Sequence, residues 1–158
     1  METLIVARHG FAGSNRDGTC SSAAPGEGLA EEGVEQARRL GRQLAGDGIE
    51  LGVATELRRT QETLELALGG RPIPTCVLAE LNEIHFGSFD GGLLERYREW
   101  AGAELPDTPA PGGGESRASA AARYARGLRM LLARPEEVVL FVERGRESFF
   151  FAVKPDWN

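Results

Sequence analysis

The sequence predicts an α/β fold, a three-layer α/β/α sandwich around a mostly parallel sheet. Residues 3–7 (Thr-Leu-Ile-Val-Ala) and 138–142 (Val-Val-Leu-Phe-Val) are short runs of consecutive apolar, largely β-branched residues. That is the pattern of strands covered on both faces. Between them, segments with apolar residues at helical spacing alternate with further short apolar runs, as strands joined by crossover helices do.

The first strand, residues 3–7, stops at Arg8-His9-Gly10. Residues 10–28, rich in Gly, Ser, Asn and Asp, are expected to form a long loop, and a loop of that length in a compact domain is usually functional. From Ala30 the helical spacing of Val34, Ala37, Leu40, Gly41 and Leu44 predicts a helix. Its acids Glu31 and Glu32 come first and Arg38, Arg39 and Arg42 later, an order that suits the helix dipole. Residues 49–54 read as a strand and 57–68 as a helix with Leu57, Leu64, Ala67 and Leu68 on its apolar side. Residues 73–78, interrupted by Pro74, read as a weaker strand at a sheet edge.

Residues 93–101 predict a short helix, and the prolines and three successive glycines of 105–114 exclude regular structure. A helix over 116–133 follows, with Ala120, Tyr124, Leu128 and Leu131 at its buried spacing, and then the last core strand over 137–142. Residues 147–158 have no clear amphipathic period; 149–153 fit one buried helical turn or a strand, which periodicity does not separate at this length. No linker divides the chain, so one domain is expected over 1–158, with an atypical C-terminal tail from about residue 146 of the kind a truncated or altered reading frame would produce.

Composition excludes several functions. The 18 Lys+Arg stand against 24 Asp+Glu, a net charge of −6, which argues against a surface built for nucleic acid or anionic lipid. Seventeen of the 18 basic residues are Arg, so a local cluster can still hold phosphate bidentately. Cys20 and Cys76 are too few and too far apart for a disulfide framework or a zinc cluster, and two isolated His residues make no metal site. No metal or other cofactor is therefore expected. No apolar run approaches the roughly 20 residues of a membrane span. The opening Met1-Glu2-Thr3-Leu4 carries an acid where a signal peptide carries basic residues, and a cytoplasmic protein is the expectation.

In open parallel sheets ligands bind beyond the carboxyl ends of the strands, which places His9 at the expected site. A lone His at a strand end is by itself more often a cap or a surface residue. The order of motifs changes that weighting: Arg8-His9-Gly10 after the first strand, Asn15, then Leu29-Ala30-Glu31-Glu32-Gly33 with Gln36-Ala37. Thr55 to Thr63 with Arg58-Arg59 follows the second strand, then Leu81-Asn82-Glu83, Gly87, Gly91 and Gly114-Glu115-Ser116. In order and spacing this resembles the histidine phosphatase superfamily, the phosphoglycerate mutase-like proteins, over residues 1 to about 142.

The resemblance implies a nucleophilic His9 that is transiently phosphorylated, Arg8 and Arg59 as pocket cations, Asn15 as a polar residue lining the phosphate site, and Glu83 as the acid that protonates the leaving oxygen. The chemistry is coherent on general grounds. A neutral imidazole is a competent nucleophile near pH 7, guanidinium forks match the oxygens of a phosphoryl group in flight, and a carboxylic acid can protonate a departing alkoxide. The implied activity is metal-independent hydrolysis of a small phosphorylated substrate. Two alternatives remain: a weak or inactive member that binds phosphorylated ligands as a regulatory module, and mutase-type phosphoryl transfer, for which the chain lacks the usual length of lid segments. Glu115 reads as a first-turn helix acid.

The sequence departs from the family pattern at one prominent place. After the last core strand, where a second His is expected, stands Arg144, a fixed cation that can bind phosphate but cannot lose a proton at neutral pH. Loss of one aimed transition-state donor typically costs on the order of 10²–10³ in rate. His85, two residues past Glu83, is the other imidazole that could turn into the pocket, and Phe11 replaces the acid that commonly follows Arg-His-Gly.

Overall fold

Alternate side chains of the apolar runs leave a strand on opposite sides, and that alternation builds two halves of a core. The computed structural model describes residues 1–143 and 151–153 of the chain. Strands β1 (Thr3–Arg8), β2 (Leu51–Ala54), β3 (Thr75–Val77), β4 (Val138–Glu143) and β5 (Phe151–Val153) form one sheet in the order β3-β2-β4-β1-β5. The first four are parallel, with Ile5 beside Leu140 and Val53 beside Phe141; β5 runs antiparallel to β1. The helices are α1 (Gly13–Asp17), α2 (Glu31–Gln43), α3 (Arg58–Leu68), α4 (Leu94–Ala103) and α5 (Arg117–Leu132).

On one face Ile5, Ala7, Leu140 and Val142 pack with Leu40 of α2 and with Leu64, Ala67 and Leu68 of α3. On the other, Leu4, Val53, Val139 and Phe141 meet Leu81 and Leu131, with Tyr124 and Leu128 of α5 beside them. The three-layer α/β architecture expected from the sequence is the one observed. Val139, Leu140, Phe141 and Val142 have no exposed surface. At about 1.5–3 kcal/mol per buried side chain this short run contributes roughly 6–12 kcal/mol as an upper bound. A third apolar cluster holds α4 over the carboxyl end of the sheet: Tyr97 meets Phe86 edge-on at 4.7 Å, beside Cys20 and Ala101. Backbone bonds Leu94 N–H to Gly18 O (2.8 Å) and Cys20 N–H to Gly92 O (2.8 Å) tie that helix to the segment after β1.

The differences from the sequence reading have local causes. Residues 10–28 are not a continuous loop, because α1 interrupts them. Five residues are too few to show an apolar period; the helix is set by Asn15 Oδ1 accepting the Ala12 N–H (3.0 Å) and ends at Gly18 with φ +64°. β2 starts at Leu51, two residues later than expected. β3 is at the sheet edge, as Pro74 suggested, and only three residues long, since Pro74 has no N–H to extend it. Ser116 lies outside α5 as its cap, its Oγ accepting the Ser119 N–H at 3.0 Å. Of residues 149–153, 151–153 form a strand; the remaining tail residues lie outside the described ones. Among the described residues no helix is long and apolar enough to cross a membrane.

Candidate active site

β1 delivers Arg8, His9 and Gly10 to the carboxyl edge of the sheet. The His9 N–H continues the pairing with β4 by donating to Glu143 O (2.7 Å), which fixes the backbone from which the ring projects. His9 is 4% exposed, and its Nδ1 lies 2.6 Å from Gly10 O. A carbonyl oxygen only accepts, so the proton belongs on Nδ1 and the neutral ring keeps its lone pair on Nε2. Arg59, the second residue of α3, donates to that atom from Nε at 3.1 Å. Its other nitrogens reach Ser21: Nη1 to Oγ at 3.3 Å and Nη2 to the carbonyl at 3.0 Å. Arg59 is buried (3% exposed), whereas its neighbour Arg58 is exposed and paired with Glu62 one turn on (2.7 Å).

Two close contacts hold this end of the sheet. Thr63, one turn beyond Arg59, accepts the Gly10 N–H (2.9 Å) and donates to Arg59 O (2.7 Å), so one buried hydroxyl joins the histidine loop to the arginine helix. Gly10 and Phe11 lie backbone to backbone against Gly33 in the first turn of α2: a Cβ on Gly10 would sit 2.9 Å from the Gly33 carbonyl carbon, and one on Gly33 2.7 Å from the Phe11 nitrogen. Neither position has room for a side chain.

Glu83 comes from the opposite side of the cleft, just after the 3-10 turn Ala79–Leu81. Its Oε1 accepts the Ile84 N–H at 3.1 Å. Asn82 reaches the loop before α3, accepting the Glu56 N–H (2.9 Å) and donating to Glu56 Oε2 (2.6 Å). Behind this loop Arg123 of α5 pairs with Glu115 (2.7 Å). The Arg123 hydrogen bonds hold the Glu115 carboxyl below its ordinary range against the opposing effect of burial, and the Glu115 hydrogen bond raises Arg123 in turn. Tyr124 donates to Glu143 Oε2 at 2.7 Å, and burial, followed by that carboxylate, pushes its phenol far above the usual value.

Arg8, His9, Asn15, Arg59 and Glu83 all line one cleft of about 690 Å³, together with Phe11, Leu94, Arg39 and Arg98. Four arginines therefore face one carboxylate there, in a chain of net charge −6, so the cleft attracts anions although the molecule as a whole repels them. Asn15 has its side-chain oxygen committed to Ala12 N–H, which leaves the amide hydrogens as the part a phosphate oxygen could use. His85 is exposed, accepts the Gly87 N–H on Nδ1 and does not line the cleft. Glu115 is not a first-turn helix acid; it precedes the α5 cap and its carboxylate is taken by Arg123. Arg144 lies outside the described residues. Among the described residues no group of three His, Cys, Asp or Glu side chains is placed to hold a metal ion.

Sequence reasoning quoted Thr63 and Asn82 within motifs without giving either a role, and it missed Ser21 and Arg123. Thr63 could have been found as a polar residue four positions after Arg59, on the same helix face. Ser21 and Arg123 act across the fold, and no local spacing signals them.

A mostly parallel sheet with helices on both faces and an arginine-lined cleft at its carboxyl edge defines an α/β protein with an electropositive candidate site. The histidine phosphatase superfamily (branch 1) matches residues 4–146, and the chain belongs to that family. It is 39% identical over 87 residues to the adenosylcobalamin/alpha-ribazole phosphatase of Escherichia coli K12, covering 55% of this chain and 42% of that protein. To the 2,3-bisphosphoglycerate-dependent phosphoglycerate mutase of Methylorubrum extorquens PA1 it is 37% identical over 136 residues, covering 78% and 63%. The alpha-ribazole phosphatase structure from Shigella flexneri superposes with a TM-score of 0.79 at 28% identity, over 90% of this chain and 73% of that one. The chain thus spans less than two thirds of the length of these curated relatives.

Proposed function

We propose that the chain, acting as one domain, hydrolyses small phosphomonoesters through a phosphoryl group carried on His9 Nε2, with no metal in the reaction. The carrying observation is the His9 ring itself: Nδ1 is tied to Gly10 O at 2.6 Å and Nε2 is turned to the Arg59 guanidinium at 3.1 Å. In the first step the phosphoryl group takes over the Arg59 donors and the Nε2 lone pair attacks phosphorus. The bond from phosphorus to the ester oxygen breaks, and Glu83, as the acid, gives its proton to that oxygen. Arg8 and Arg59 neutralise the equatorial oxygens, and Asn15 adds a donor. In the second step water attacks phosphorus, the Glu83 carboxylate takes its proton, and the P–N bond returns its electron pair to Nε2. Arg144, standing in sequence where the second imidazole is expected, would act as a further fixed cation and hold product about as well as the transition state, so turnover is slow.

The mutase and phosphatase relatives act on small phosphorylated molecules by their names, which supports a substrate of that class. The test is turnover of an aryl phosphate and an alkyl phosphate with a chelator present. His9→Ala is expected to abolish both. Glu83→Gln is expected to slow the alkyl ester at least tenfold more than the aryl ester, because proton donation matters most for a basic leaving group. Wild-type activity that survives His9→Ala would refute the phosphohistidine route.

A further inference from the structure

Arg123 has an acceptor for each of its five N–H groups. Nε and Nη2 take the two carboxylate oxygens of Glu115 at 2.8 and 2.7 Å. The other three hydrogens take main-chain carbonyls: Nη1 those of Glu80 (2.8 Å) and Asn82 (2.9 Å), and Nη2 that of Glu83 (3.1 Å). Glu115 grips the far side of the same loop, since its Oε2 accepts the His85 N–H (3.0 Å) and its own N–H donates to His85 O (2.8 Å). The Arg123 and Glu115 side chains are 18% and 24% exposed, so the pair is shielded more than a surface ion pair is.

This arrangement is more specific than loop anchoring requires. The carbonyls belong to residues 80, 82 and 83, immediately before the Glu83 side chain, and the partner of the guanidinium holds residue 85 just after it. Arg123 itself does not line the cleft. We propose that Arg123, oriented by Glu115, is the positioning residue that aims the Glu83 carboxyl at the leaving oxygen of the substrate. The inference rests on the hydrolase reading above and adds to it the part of the fold that sets the proton donor. An error of about 1 Å in such aim can cost on the order of 10² in rate, and here it would be felt only where the proton is needed.

The experiment measures kcat/KM for an alkyl and an aryl phosphate, and the affinity for orthovanadate, in the full chain. Arg123→Ala is expected to lower the alkyl-to-aryl ratio about tenfold while vanadate affinity stays within about threefold. In a Glu83→Gln background the same substitution is expected to leave the ratio unchanged, because the group it positions is gone. Arg123→Lys, with three donors on a flexible stem, restores part of the ratio. Should Arg123→Ala fail to fold, Glu115→Gln reads the same ratio with a shift of about threefold. Equal losses on both substrates, or a ratio that falls further in the Glu83→Gln background, would overturn the positioning role and leave the hydrolase reading standing. A wild type that binds vanadate and turns over neither ester refutes the hydrolase reading, and the positioning role falls with it.

Discussion

Replacing Thr63 with valine removes one oxygen while nearly keeping the shape of the side chain, and that oxygen connects the histidine loop to the arginine helix of the candidate site. It accepts the Gly10 N–H at 2.9 Å and donates to Arg59 O at 2.7 Å, with Thr63 only 1% exposed. In the variant the Gly10 N–H is left buried with its acceptor gone, at a cost of about 1–3 kcal/mol, partly offset by about 0.8 kcal/mol from the added methyl. The net loss is roughly 0.2–2 kcal/mol. For a chain of this size each kcal/mol lowers Tm by about 2–4 °C, so a fall of up to about 8 °C is expected by thermal unfolding. Release of Gly10 also loosens the carbonyl that orients His9 Nδ1, and kcat on an aryl phosphate should fall about tenfold. Thr63→Ser keeps the oxygen and serves as the control, with activity near wild type. A Thr63→Val protein with wild-type kcat and a Tm within about 1 °C of wild type would show that the hydroxyl does not hold the loop.

Two further outcomes follow from contacts described above. Glu115 has a folded-state pKa below its ordinary value near 4.5, so its ionised form contributes stability that is present above that pH and is lost as pH falls through the folded value; Tm measured from pH 6 to pH 3 should therefore fall more steeply in the wild type than in Glu115→Gln. Gly33→Ala places a methyl against the Phe11 backbone, which cannot yield as a flexible side chain would, and is expected to lower Tm by more than about 5 °C and to weaken vanadate binding, both read on the purified variant.

The sheet was legible in the sequence because its central strands are covered on both faces, and only apolar, mostly β-branched residues suit such a position. The α2 and α5 helices were legible from spacing, and the edge position of β3 from Pro74. The short α1 was not, since one turn set by an Asn side chain and ended by a glycine has no period. Of the adjacent arginines, no local pattern says which turns inward; burial of Arg59 and exposure of Arg58 follow from the packing of α3 against α2, β2 and β4 and from its hydrogen bonds to His9 and Gly10. Likewise three of the five bonds of Arg123 join residues 40 to 43 positions apart in the chain, from the Ala79–Leu81 turn and the two residues after it to α5, and each of those residues alone reads as an ordinary polar side chain.

The contact of Gly10 and Phe11 with Gly33 has a consequence for how such a site can change over evolutionary time. With no side chain at the junction, substitution has nothing to trim or enlarge there, so the separation between the histidine loop and α2 is closed to gradual adjustment. New substrate preferences have to arise at the mouth of the cleft, at Phe11, Leu94 and Arg98, where the side chains are at least partly open to solvent and can vary in size and charge. The fold separates an inner region that tolerates no experiment from an outer one that does, and a lineage can acquire a different ligand without rebuilding the chemistry beneath it.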